Sequence, residues 1–171
     1  MNFLSALQNE IEEQKVFAGD ISAEKLKQCK YLDAFYKETL RMATHSLTIS
    51  RYAEDEITTG TTQISKNTTV SFNIGKGNLD HRAWKIPTES FLPDRFITED
   101  KKIHLHQYPF MPFSAGKRSC PGFIVAEDVF KAAIATLIHY YNVEQIYTLT
   151  QTIEISPRYA HKKKKLQPFY I

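Results

Sequence analysis

The amino-acid sequence predicts an α+β fold that is mainly helical. Apolar residues recur at helical spacing near the N-terminus and again after residue 121, whereas residues 47–74 alternate Thr, Ile and Val with polar residues. Between these regions, residues 76–119 show little periodicity, which indicates a long irregular segment of the kind that is usually functional. With 42% hydrophobic and 24% charged residues, the composition is that of an ordinary globular protein.

Helices are predicted for most of the first part of the chain. A stripe of apolar residues at helical spacing predicts a helix over residues 2–14. Ser22 is placed to cap a short helix that ends near Cys29. A longer helix is expected over residues 31–42. Its side chains suited to burial are Leu32, Phe35, Tyr36, Thr39 and Leu40.

Short strands and hairpins are expected over residues 47–74, where Gly60 and the Lys66-Asn67 pair mark turns. A long helix is predicted to follow Pro121 and to run to about residue 141, and the tail is read as a small β hairpin region. The predicted apolar face of the long helix consists of Phe123, Ala126, Val129, Phe130, Ala133, Ile134, Leu137 and Ile138.

Charge and cysteine content exclude several classes of protein. The formal net charge of +3 is too small to indicate nucleic-acid binding, and no apolar stretch is long enough to span a bilayer. The basic run Lys162–Lys165 is either a solvated loop or a contact for a redox partner or an anionic membrane surface. Cys29 and Cys120 have no metal-site spacing and form no disulfide framework, which fits a reducing compartment. Cys29, outside any motif, is expected to be a buried, inert thiol.

The segment Phe113–Gly122, with the sequence FSAGKRSCPG, is the most informative part of the chain. Cys120 falls at the start of the predicted long helix, where free N–H groups and the helix dipole favour a thiolate. Gly116 and Gly122 allow tight turns and the approach of a flat ligand. Arg118 supplies a cation for carboxylates. This pattern suits a metal-bound thiolate.

These residues match the signature F-x-x-G-x-R-x-C-x-G, and the chain therefore resembles the C-terminal part of the cytochrome P450 family. The resemblance implies that Cys120 is the axial ligand of the iron in haem b, and hence the metal-binding residue. It implies that the cofactor-binding residues also include Phe113, Gly116, Arg118 and Gly122. No catalytic residue is assigned beyond the haem ligand.

Upstream motifs resemble the same family. Glu38 and Arg41 match its E-x-x-R pair on a helix, and Phe91–Phe96 resembles its F-x-P-E-R-F segment, with Arg95 as the third member. The resemblance implies that these three residues form a buried structural network rather than a catalytic one. It also implies that Arg51 binds a haem propionate, the alternative being a surface charge on a strand. Chemically, a guanidinium fits a carboxylate through two hydrogen bonds.

The sequence also departs from the family pattern. Asp94 stands for the usual glutamate, Asn78 replaces a histidine, and one extra residue lies between Pro87 and Phe91. The family's Pro-Pro turn after E-x-x-R-L is absent. By resemblance, residues 42–50 and the turn near Ser156-Pro157 are expected to touch the substrate.

The function implied by the resemblance is that of a haem-dependent monooxygenase acting on a small organic substrate. Electrons would come from NADPH through cytochrome P450 reductase or a similar donor, with Lys117 and Arg118 as candidate contacts. The thiolate would favour O–O cleavage. Two alternatives remain open: a non-catalytic truncated fragment that does not bind haem by itself, and a haem-thiolate isomerase or dehydratase that uses no reductase.

A full member of the family is considerably longer than this chain. We therefore expect residues 1–171 to form one partial domain, the proximal half of the haem site, without the distal helix and any membrane anchor. The longer parent would lie at the cytosolic face of the endoplasmic reticulum membrane, associated with it through the missing N-terminal part. The chain alone would be cytoplasmic.

Overall fold

The structure, a computed structural model, describes residues 3–84, 86–97, 110–145 and 153–157. It combines helices with small antiparallel sheets, which confirms the α+β class. The helices are α1 (Phe3–Glu13), α2 (Ala23–Gln28), α3 (Lys30–Met42), α4 (Ile74–Asn78) and α5 (Phe123–Tyr140), with 3₁₀ turns at Pro93–Phe96 and Gly116–Arg118. The strands are β1 (Thr48–Tyr52), β2 (Ile57–Thr59), β3 (Thr62–Ile64), β4 (Thr69–Asn73), β5 (Tyr141–Gln145) and β6 (Ile153–Pro157).

The chain divides into two compact units. The first comprises Met1–Tyr36 and Ile124–Ile171, and the second comprises Lys37–Phe123. No helix within the described ranges is long and apolar enough to cross a membrane. The basic run Lys162–Lys165 lies outside the described residues.

The first unit is built on a helical core. Ser22 caps α2 by accepting a hydrogen bond from the backbone of Lys25 at 3.4 Å. The carboxylate of Glu10, on α1, accepts hydrogen bonds at 2.7 and 2.8 Å from the backbone N–H groups of Tyr31 and Leu32, near the start of α3. At this end of α3, the Glu10 carboxylate pairs with backbone N–H groups that have no partner within the helix, and its negative charge complements the helix dipole. The buried core consists of Leu7, Ile11, Val16, Leu26, Cys29, Leu32, Ala135 and Ile138.

Helix α5 buries only part of the predicted apolar face. Ile138 is buried, but Val129 is 63% exposed and Lys131 is buried in its place. Lys131 is accommodated because its ammonium group lies 2.7 Å from Asp33 and 2.6 Å from Glu127. The helix is apolar on most of its circumference, so periodicity could not select the buried side.

The second unit contains two antiparallel two-stranded sheets. Strand β1 pairs with β4, so that Arg51 lies opposite Val70, and β2 pairs with β3. Gly60, with φ +56°, forms the tight turn between β2 and β3. Strand β5 pairs with β6 in the first unit.

Candidate functional site

A buried ion network lies in the second unit. Glu38 accepts hydrogen bonds from Arg41 Nε and Nη2, both at 2.8 Å, and from Arg95 Nε at 2.9 Å. The backbone N–H of Leu92 donates to the same carboxylate at 2.7 Å. Glu38 and Arg41 are fully buried, and Arg95 is 5% exposed. The network therefore ties the end of α3 to the Pro93–Phe96 turn.

One carboxylate cannot neutralise two guanidinium groups, and backbone carbonyls accept the remaining donors. Arg41 Nη1 donates to the carbonyls of Thr88, at 2.9 Å, and Asn78, at 3.2 Å. Arg95 Nη2 donates to Pro87, at 2.8 Å, and to Ser90, at 2.9 Å. Buried charges are tolerated when their hydrogen bonds are made in this way.

Trp84 completes this network with an aromatic face. Both guanidinium carbons, of Arg41 and Arg95, lie 5.6 Å from the centre of its ring. At that distance the negative face of an indole attracts a cation. No local pattern in the sequence indicates this contact.

The cysteine loop, residues 113–122, lies in the same unit. Cys120 has an exposed thiol, and its backbone N–H donates to the carbonyl of Phe113 at 2.9 Å, which closes the loop. The chain turns through positive φ at Ser114 (65°) and Gly116 (73°). Cys120 precedes α5, which begins at Phe123, rather than lying in its first turn.

The two glycines of the loop leave space around it. A Cβ atom built at Gly116 would meet no atom within 4 Å, and one at Gly122 would lie 3.8 Å from the Cys120 Sγ atom. A larger side chain at residue 122 would therefore extend beside the sulfur. The Phe113 ring packs 6.4 Å from that of Phe123, which is itself 45% exposed.

Arg51 reaches the loop from strand β1. Its Nη2 atom donates to Ser114 Oγ at 2.8 Å and to the carbonyl of Ala115 at 3.3 Å. Arg118 ends the Gly116–Arg118 turn and has an exposed side chain. The structure thus joins Arg51 to the loop, with Arg118 as a second guanidinium on it. Sequence reasoning missed Ser114, because serine carries no signal for a left-handed backbone.

This set of residues fits a haem group. The loop offers one exposed sulfur, the donor type that binds iron as a thiolate. Gly116 and Gly122 leave room for a flat macrocycle, and Phe123 presents apolar surface. Arg51 places a permanent positive charge beside the loop, where it could bind the acidic side groups of a macrocycle.

The sequence model of the family Cytochrome P450 matches residues 2–167. The chain belongs to the cytochrome P450 family. It is 35% identical over 147 residues to cytochrome P450 CYP82J17 of Trigonella foenum-graecum, covering 84% of this chain and 28% of that protein. It is 30% identical over 173 residues to protopine 6-monooxygenase of Eschscholzia californica, covering 98% of this chain and 33% of that protein.

A third relative is psoralen synthase of Ammi majus, 34% identical over 139 residues, which cover 81% of this chain and 28% of that protein. The chain thus spans about a third or less of the length of these cytochrome P450 relatives.

Proposed function

We propose that this chain forms the proximal part of a haem-dependent monooxygenase, in which the Cys120 thiolate would bind the iron. The single observation that supports this most strongly is the exposed Cys120 thiol on a loop that Arg51 holds from strand β1. When bound, haem would supply the iron centre for dioxygen activation, with one oxygen atom entering an organic substrate and the other leaving as water.

The chain's own residues would bind and orient the group. The Cys120 thiolate would hold the iron through its sulfur and would supply electron density to it. Arg51 and Arg118 would pair with the acidic side groups of haem b, while Gly116 and Gly122 would keep the surface of the loop open. Phe113 supports the loop by packing on Phe123.

Glu38, Arg41 and Arg95 take a structural role in this proposal. Glu38 binds both arginines, the three residues contact the backbone of residues 86–92, and Trp84 lies against both arginines. Their contribution is to hold the segment that precedes the cysteine loop. In this proposal residues 1–171 are one partial domain of the family, the proximal half of the haem site.

Substrate, electron donor and location are part of the same proposal. Relatives are named for different reactions, including a strychnine-10-hydroxylase and a (S)-1-hydroxy-N-methylcanadine 13-hydroxylase, so we propose oxygenation of a small organic molecule. Electrons would come from NADPH through a reductase, with the exposed Lys117 and Arg118 as its contacts. The full-length parent would work at the cytosolic face of the endoplasmic reticulum, and the chain alone in the cytoplasm.

The second candidate is a non-catalytic chain that does not hold haem by itself. It is favoured by the share of its relatives' length that the chain spans, 28–33% for those described above. Exposed apolar residues on α5, including Val125 and Val129, also favour it, because such surface is normally covered.

A spectroscopic experiment separates the two candidates. The 171-residue chain is mixed with haem, reduced and exposed to carbon monoxide. We expect the Soret band of thiolate-ligated iron, its loss in Cys120→Ala, and its retention in the matched control Cys29→Ala. Loss of haem from the unchanged chain on gel filtration would support the non-catalytic candidate. A thiolate band that survives in Cys120→Ala would exclude Cys120 as the ligand.

A further inference from the structure

Ser114 stands out in the cysteine loop because its backbone is left-handed. Its φ is 65°, a region that L side chains other than Asn and Asp seldom adopt. Of the loop's two positive-φ residues, Gly116 bears no steric cost, but Ser114 does. A serine kept in an unfavourable conformation raises the question of what its side chain does.

The side chain of Ser114 accepts a hydrogen bond from Arg51. The distance from Arg51 Nη2 to Ser114 Oγ is 2.8 Å, although the two residues lie far apart in sequence. The same Nη2 donates to the carbonyl of Ala115 at 3.3 Å, and Nη1 donates to the carbonyl of Ser50 at 3.0 Å. The guanidinium is thus held by the loop on one side and by its own strand on the other.

The loop is braced independently of this contact. The backbone N–H of Ser114 donates to Met111 at 3.1 Å, and that of Cys120 donates to Phe113 at 2.9 Å. Closure of the loop therefore does not depend on the serine hydroxyl. What the hydroxyl adds is a fixed position for the guanidinium of Arg51.

Three of the five guanidinium donors of Arg51 are used by these bonds. Within the described ranges, the Nε hydrogen and one Nη1 hydrogen have no acceptor. An arginine side chain ordinarily loses much rotamer freedom when it binds an anion. A guanidinium that is already fixed loses less, so it binds a carboxylate more tightly.

We infer that Ser114 is a positioning residue, which orients the Arg51 guanidinium toward a carboxylate of the bound cofactor. This inference rests on the proposed haem site and adds a determinant to it. The hydroxyl acts only through Arg51. Its effect should therefore depend on the carboxylates of the ligand and should leave the iron–sulfur bond unchanged.

The test compares two porphyrins on four forms of the 171-residue chain. Haem has free carboxylates, whereas haem dimethyl ester has none. Ser114→Gly removes the hydroxyl and relieves the backbone, and Ser114→Asn keeps an acceptor on a residue that tolerates positive φ. Ser71→Ala is the matched control, because it removes a hydrogen-bonded hydroxyl (2.9 Å to Ser50 Oγ) from the same sheet.

We expect Ser114→Gly to weaken haem binding by about tenfold, as for loss of a hydrogen bond to a charged group. Binding of the dimethyl ester should change by less than about twofold, and the thiolate Soret position should not move. Ser114→Asn should recover most of the haem affinity, and Ser71→Ala should have no effect on either porphyrin.

Two results of the porphyrin comparison would overturn the inference. Equal weakening for both porphyrins would show a general effect on the loop, and unchanged haem affinity in Ser114→Gly would show no effect. Failure of the unchanged chain to take up haem would instead remove the proposed function and this role with it. In the haem-free chain, Ser114→Gly should also speed the exchange of the Arg51 guanidinium hydrogens with water, as measured by NMR. An unchanged exchange rate would refute the positioning contact itself.

Discussion

Replacement of Glu38 by glutamine should strongly destabilise the second unit. The carboxylate accepts hydrogen bonds from Arg41, Arg95 and the backbone of Leu92, between 2.7 and 2.9 Å. An amide of the same shape replaces one acceptor by a donor and removes the only negative charge among the described residues that are hydrogen-bonded in this cluster. Two buried guanidinium groups would then lose the carboxylate that both of them bind.

The expected loss follows from that burial. Glu38 and Arg41 are fully buried, so solvent cannot replace the lost interaction. Removing one partner of such a network costs about 3–5 kcal/mol in unfolding free energy. For a chain of this size, that corresponds to a decrease of roughly 6–20 °C in melting temperature.

Trp84 provides the assay. It is the single tryptophan of the chain, and both arginines lie against its ring, so its fluorescence reports on this region. Urea unfolding of Glu38→Gln should show a lower midpoint than the unchanged chain. Glu56→Gln is the control: it makes the same change at an exposed carboxylate, which accepts from Gln63 at 2.7 Å, and should leave the midpoint where it was. A loss below about 1 kcal/mol in Glu38→Gln would refute the argument.

Two further predictions concern the first unit. Burial alone would lower the pKa of the Lys131 ammonium group, but the hydrogen bonds and charges of Asp33 and Glu127 outweigh burial, and the pKa is raised. The stability that these ion pairs contribute should therefore be lost as the pH rises above about 10.4. Unfolding followed by circular dichroism should show that Lys131→Met removes this alkaline loss. At pH 7 the substitution should cost roughly 2 kcal/mol of unfolding free energy, a modest loss because solvent reaches both carboxylates in part. An alkaline loss that persists in Lys131→Met would contradict the prediction. Burial, with the nearby Glu10 charge, raises the pKa of Cys29 to about 11. Of the two cysteines, iodoacetamide at pH 8 should therefore label only the exposed Cys120 until urea unfolds the chain, as measured by mass spectrometry. Labelling of Cys29 before Cys120 would contradict this prediction.

Local patterns in the sequence carried much of the helical part of the fold. The stripe that predicted a helix over residues 2–14 corresponds to α1 at Phe3–Glu13, and the helix predicted over residues 31–42 corresponds to α3 at Lys30–Met42. Helical periodicity is a property of neighbouring residues, and it does not depend on the rest of the chain. The α+β class was predictable for the same reason.

The buried face of α5 was not predictable in this way. Val129 has the spacing of a core residue but is exposed, whereas Lys131 is buried. Burial of Lys131 depends on Asp33, which belongs to a helix far away in the sequence. A lysine in an apolar helix does not reveal such a partner.

The candidate site was likewise predictable from the sequence only in part. Residue types at fixed spacing identified the cysteine loop and the three charged residues Glu38, Arg41 and Arg95. The acceptors of the arginines are mostly backbone carbonyls, which every residue possesses and no sequence pattern distinguishes. The contact of Arg51 with Ser114 likewise depends on the positive φ of Ser114, which the presence of a serine in the sequence does not predict.

The hydrogen bonds from Arg41 and Arg95 to residues 86–90 have a consequence for how this segment can evolve. Five donor contacts reach its main-chain oxygens, and side-chain identity there enters none of them. The two arginines thus fix the path of this irregular backbone segment through its carbonyl groups. Substitutions in this segment are therefore tolerable wherever the oxygens still accept hydrogen bonds from the same two side chains.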